Sequence, residues 1–100
     1  MVKHIILWKL KEDLSEEQKV QVLAGMKENL EGLVGKVPGL LRMNIVIRPL
    51  ESSNADVMLD SDLETQDALK GYQMHPDHVH VANTYVRPFT ETRLCMDYEV

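Results

Sequence analysis

Cysteine is almost missing from this chain. Cys95 stands alone among the 100 residues, so no disulfide can close within it, and nothing in the composition points to an oxidising compartment. The expected part for Cys95 is that of a small buried apolar residue. Long apolar runs are missing as well: no stretch approaches the ~20 residues a membrane helix needs, so no membrane partner is expected. Positive charge is in deficit, with 16 acidic residues against 11 Lys and Arg and a net charge of −5, which repels phosphate backbones and argues against nucleic acid. Internal repeats, low-complexity tracts and linkers are absent, which leaves residues 1–100 as one expected domain. The opening "MVKHIILWKLKED" carries Lys3, Lys9 and Lys11 and no small-residue cleavage site, so the expectation is a soluble, cytoplasmic protein.

What is present is an ordinary globular mixture, 44% hydrophobic. A chain of this size buries only about 60 to 70% of its unfolded surface, so a second chain to pack against would help. The first segment, 2–10, alternates, but both of its faces are apolar: Val2, His4, Ile6, Trp8 and Leu10 share one, Ile5 and Leu7 interrupt the lysines on the other. Such a strand is covered on both sides. Ser15 with Gln18 three residues on forms a capping-box signature, followed by an expected helical stripe at Val20, Leu23, Met26, Leu30, Leu33, Val34 and Val37, with Lys27 and Glu31 on the wet side and Gly35 as the stop.

A second strand is expected at 40–47, with Leu41, Met43, Ile45 and Ile47 on one face, and a third at 55–61, with Val57 and Leu59 on one face. The acidic run Asp56, Asp60, Asp62 reads as a solvated edge. A short helix is expected from Thr65 to Tyr72 and another from Pro76, the favoured first helical residue, closed by Pro88, with Val79, Ala82 and Val86 on its apolar side. A last strand alternates over 91–98. The order β-α-β-β-α-β, with the second helix broken in two, predicts an α+β protein: a ferredoxin-like protomer with a four-stranded antiparallel-type sheet and helices on one face. The other face is too apolar for water, and Ile5 and Leu7 there predict a homodimer with two sheets face to face.

Four stretches, "MVKHIILWKLKED", "LEGLVGKVPGL", "ALKGYQMHPDHV" and "RLCMDYEV", together resemble the stress-responsive dimeric α/β-barrel (Dabb) family over essentially the whole chain. The resemblance implies a sheet that pairs with a second copy into an eight-stranded barrel. It also implies a candidate chemistry, because a plant polyketide cyclase of the family performs an intramolecular aldol closure without metal or organic cofactor. The tyrosine and second histidine of its His-Pro-x-His motif match Tyr72 and His78, and a first-strand histidine matches His4. A further active-site histidine of that cyclase falls at about Val57, so this part of the pattern is absent.

Three of the four histidines, His75, His78 and His80, crowd into "GYQMHPDHVH" and invite a metal reading. Helical geometry turns His78 and His80 roughly 200° apart, and His75 precedes a proline that pushes it out of the helix, so no shared ion and no metal or other cofactor is expected. An acid–base reading needs Tyr72 and His78 to converge. On one unbroken helix they would stand about 120° apart, but the break at His75-Pro76 allows both to enter one cavity. Imidazole can then accept a proton while a phenol donates a hydrogen bond to a carbonyl oxygen, which suits enolisation beside a carbonyl. The competing reading packs Tyr72 in the core and gives His78 a backbone bond. His4, Ile6 and Trp8 are candidate ligand-lining residues, with a buried polar partner as the plainer role for His4. His80 is assigned to solvent, and Asp77 to the helix start. Three functional classes stay open: a binder of a small carbonyl-bearing or polyketide-like molecule with or without acid–base chemistry, a non-enzymatic dimer, and a cofactor-independent monooxygenase for which Trp8 and His4 would matter.

Overall fold

The computed structural model describes all 100 residues. β1 (Val2–Leu10) is followed by α1 (Glu16–Glu31), β2 (Leu40–Val46), β3 (Val57–Leu63), α2 (Gln66–Met74), α3 (Pro76–Val81) and β4 (Thr90–Glu99). The strands form one antiparallel sheet in the order β2-β3-β1-β4, with β1 pairing both β3 and β4. This is the ferredoxin-like arrangement expected from the element order. No helix is long and apolar enough to cross a membrane.

The helix-covered face holds the core. Val2, His4, Ile6, Trp8 and Leu10 of β1 are all buried, as are Val57, Leu59, Ser61 and Leu63 of β3. From α1 come Met26 and Leu30, an i, i+4 pair that lies against the sheet. Its N-terminus carries the expected capping box: Gln18 N–H donates to Ser15 Oγ at 3.1 Å, and Ser15 N–H donates to Gln18 Oε1 at 2.8 Å.

Several sequence expectations are corrected. Val20 is 68% exposed, because it is turned about 120° from Met26, whereas Val22 lies one i, i+4 step before it. The helix ends at Glu31 with Gly32 as its cap, so Gly35 serves the following turn with φ of 90°, and Val34 is exposed. Lys27 and Glu31 are not simply solvated. Lys27 donates to the Ile45 carbonyl at 2.8 Å and Glu31 accepts from the Ile45 N–H at 2.9 Å, tying α1 to the free edge of β2. In β2 the register shifts between Leu40 and Arg42, which buries Leu40 and turns Leu41 outward. The third strand begins two residues late and its acids are not a wet edge, since β3 is central in the sheet. Asp62 accepts from Lys3 and Arg42, Asp60 pairs with Arg42 at 2.9 Å, and Asp56 accepts from the Leu10 N–H at 2.8 Å.

Gly39 requires its glycine twice over. Its φ is 82°, and a Cβ there would sit 2.6 Å from the Ala68 Cβ, so the turn into β2 closes directly onto α2. The last helical region is divided more than expected. His75 is extended, with φ −63° and ψ 134°, as the residue before a proline must be; α3 starts at Pro76, widens into a π-type turn over Ala82–Val86 and tightens into a 3₁₀ turn over Arg87–Phe89. Val79 is therefore exposed while Val81, Ala82 and Val86 are buried.

The open face is different in kind. Leu7, Leu94, Met96 and Tyr98 are all exposed there, beside half-buried Ile5. The Lys3, Arg42, Asp60 and Asp62 ion pairs occupy the rest of it.

Candidate functional site

The break before Pro76 decides what α2 and α3 can reach together. Tyr72, on the last full turn of α2, is driven into the core at 1% exposure, and His78, one turn into α3, folds back over it with the ring centroids 4.3 Å apart. His75 caps the new helix by accepting from the Asp77 N–H at 3.1 Å, and Asp77 is in the first turn, where its charge suits the helix dipole. His80 is exposed and points toward Tyr85, away from the other histidines.

His4, Ile6 and Trp8 enter from β1 on the same side. Together with Tyr72 and His78 they line a cavity of about 370 Å³ between sheet and helices. The His4 ring lies edge-on to Tyr72, with centroids 6.0 Å apart.

The hydrogen-bond partners fix much of the chemistry. His78 Nδ1 is 3.1 Å from the Gln73 carbonyl oxygen, which can only accept, so Nδ1 carries the proton and Nε2 keeps the lone pair. Burial lowers the pKa of His78 below the usual imidazole value; the Gln73 carbonyl opposes this, and Arg87, His4 and Arg93 add to it. At neutral pH this ring is a base. Tyr72 is pushed the other way, well above the ordinary phenol value by burial, with Arg93 partly opposing, so it remains a donor. Yet its hydroxyl donates to nothing. Tyr72 Oη is one of two buried side-chain polar atoms without a hydrogen-bond partner, and the other, Asp60 Oδ1, sits inside an ion pair. An unpaired buried hydroxyl costs about 1–3 kcal/mol, which a ligand oxygen placed against it would recover.

Three residues of the site escaped the sequence reading. Asp97, directly opposite His4 in the β1–β4 register, accepts from His4 Nδ1 and so turns Nε2 of that ring away from the sheet edge. Arg87 and Arg93 line the cavity. Alternation along β4 puts Arg93 and Asp97 on one face with Cys95, and pairing that face with the His4 face of β1 would have found them. Cys95 itself is exposed, contrary to expectation, because β4 is an edge strand whose inner face the helices do not cover. Its thiol is raised by partial loss of solvent and by the Asp97 carboxylate, with Arg93 opposing, which keeps it from being a ready nucleophile.

As possible metal donors, His4, Cys95 and Asp97 offer one ligand atom each within 4.8 Å of one another. Those atoms already contact each other, with Cys95 Sγ 3.8 Å from His4 Nδ1 and 3.6 Å from Asp97 Oδ1. The arrangement works as a polar clamp on the His4 ring.

The family model for the stress-responsive A/B barrel domain (Dabb) matches residues 2–100. Among solved structures, a dimeric protein of unknown function and ferredoxin-like fold from Bacteroides fragilis is 31% identical, with a TM-score of 0.92 over 99% of this chain and 95% of that one. A Dabb family protein from Mesorhizobium loti is 20% identical, with a TM-score of 0.76 over 99% and 95% of the two chains. A hydroxynitrile lyase from Passiflora edulis is 17% identical, with a TM-score of 0.74 over 97% and 90%, and at that identity shares the fold alone. No curated protein matches the chain.

Proposed function

The chain belongs to the stress-responsive A/B barrel domain (Dabb) family, and from that premise we propose that it is a homodimer whose cavity binds a small carbonyl-bearing molecule, with Tyr72 and His78 as an acid–base pair. The observation that carries the reading is the Tyr72 hydroxyl: a buried donor without an acceptor, beside a neutral imidazole with a free lone pair. In the proposed step His78 Nε2 takes a proton from the carbon beside the carbonyl. The C–H electron pair moves into the enolate, whose oxygen is held by the Tyr72 O–H, and the enolate carbon then recovers a proton or attacks a second carbonyl of the same molecule. His4, oriented by Asp97, and the apolar walls of Ile6 and Trp8 position the ligand. The dimer reading is supported by the exposed Leu7, Leu94, Met96 and Tyr98 on the open sheet face, and by the Bacteroides fragilis relative being dimeric.

The chemical part is tested by deuterium exchange at the carbon beside the carbonyl of an aryl methyl ketone in D₂O, followed by proton NMR. Exchange above the buffer rate that vanishes in His78→Ala, while the ketone still binds, is the expected result. Exchange that persists in His78→Ala, or none with the native chain, sinks the acid–base assignment.

A further inference from the structure

The cavity is cationic in an acidic protein. The chain carries a net charge of −5, yet none of the 13 residues lining this cavity is Asp or Glu, while Arg87 and Arg93 both are among them. Their contrast with Arg42 is direct. Arg42, on the open face, is paired with two carboxylates, whereas neither cavity arginine forms an ion pair: Arg87 donates to the Asn83 side-chain oxygen, and Arg93 stands beside the Cys95 thiol. The nearby carboxylate of Asp97 is already engaged by His4.

The two arginines also come from different elements. Arg93 sits on β4 opposite Trp8, and Arg87 opens the 3₁₀ turn beyond the π-type turn, so they approach the same space independently. Both charges are felt at His78. Ile6, Trp8, Leu30, Leu59, Ala82 and Val86 supply apolar walls to the same cavity, so it suits a ligand with an apolar body as well as a charged end.

We infer that the molecule this cavity accepts is an anion, a small aromatic or conjugated carboxylate whose oxygens are met by Arg87 and Arg93 while its carbonyl faces Tyr72. The inference rests on the ligand-binding reading above and specifies its substrate class. A guanidinium fork matches a carboxylate in geometry and in charge, and it also matches phosphate, so the source of the anion must be separated by experiment.

The test compares 4-hydroxybenzoate, 4-hydroxybenzamide and inorganic phosphate as probes of the native chain, by titration calorimetry and by following the His78 ring in NMR. The acid is expected to bind about tenfold or more tightly than the amide, with the preference shrinking in Arg93→Gln and in Arg87→Gln and at high salt. Binding of the acid should also raise the His78 titration midpoint, which the neutral amide leaves in place. Equal binding of acid and amide overturns the anion assignment and leaves the pocket reading standing. Phosphate binding as tightly as the acid overturns the carboxylate on an apolar body. Failure of both aromatic probes to bind removes the pocket reading and this inference with it.

Discussion

The two faces of the sheet handle polarity in opposite ways. On the open face, charges neutralise one another: Lys3 and Arg42 hold Asp60 and Asp62, and apolar side chains fill the remainder. On the helix-covered face only His4 is met by a carboxylate, that of Asp97, and the cavity keeps an unpaired phenol, a neutral imidazole and two arginines free of carboxylates. A self-satisfied surface suits association with a fixed partner. A surface with unmet hydrogen bonds and unmet charge suits a ligand that comes and goes.

The largest expected effect comes from breaking the open face. Met96→Asp places a carboxylate among Leu7, Leu94 and Ile5, and analytical ultracentrifugation should show the dimer weakened by about a hundredfold or more, with the monomer still folded by circular dichroism. A Met96→Asp chain that dimerises as before would move the interface elsewhere.

Next comes the orphaned hydroxyl. Tyr72→Phe removes a group that has no partner in the protein, so chemical denaturation should show stability raised by about 1–3 kcal/mol, while 4-hydroxybenzoate binding falls about tenfold. A clear loss of stability instead would mean that the hydroxyl is satisfied within the fold.

Acid titration separates the faces by window. His78 has its pKa lowered by burial, so its contribution is full above about pH 6.5 and declines as pH falls below that value toward the lower folded pKa, because the unfolded chain takes the proton first. Asp62 is lowered by its hydrogen bonds from Arg42 and then Lys3, so its contribution is intact down to about pH 4 and is lost only below that. Stability measured against pH should decline in two steps, with His78→Gln removing only the upper one. A single step near pH 4 in the native chain contradicts the lowered His78 value.

The smallest effect sharpens the electrostatics. Arg93→Gln should raise the His78 midpoint, read by NMR, without altering the fold. No movement would place the Arg93 charge out of range.

Much of the fold was legible because it depends on period and punctuation. The alternation of 2–10, the Ser15–Gln18 box and Pro76 each act within a few residues, and each has its expected structural consequence. The meeting of Tyr72 and His78 in one cavity was legible for the same reason, since the extended residue before Pro76 redirects α3. Lys27, Glu31, Asp60 and Asp62 were misread because their partners lie on other strands, and a polar residue far in sequence from its partner looks solvated. Asp97 and Arg93 stayed hidden for a related reason, because the register that sets them opposite His4 and Trp8 joins the two ends of the chain, while Arg87 depends on how the π-type and 3₁₀ turns redirect the chain after α3.

β4 presents Arg93 to the cavity and Leu94, Met96 and Tyr98 to the open face, from opposite sides of one strand. Cavity and open face are thus two readers of a single backbone position. In thermodynamic terms they are linked: if ligand settles β4 and tightens the association of copies, association must tighten ligand by the same factor, so the affinity of a dilute sample and of a concentrated one would differ by an amount that measures the coupling.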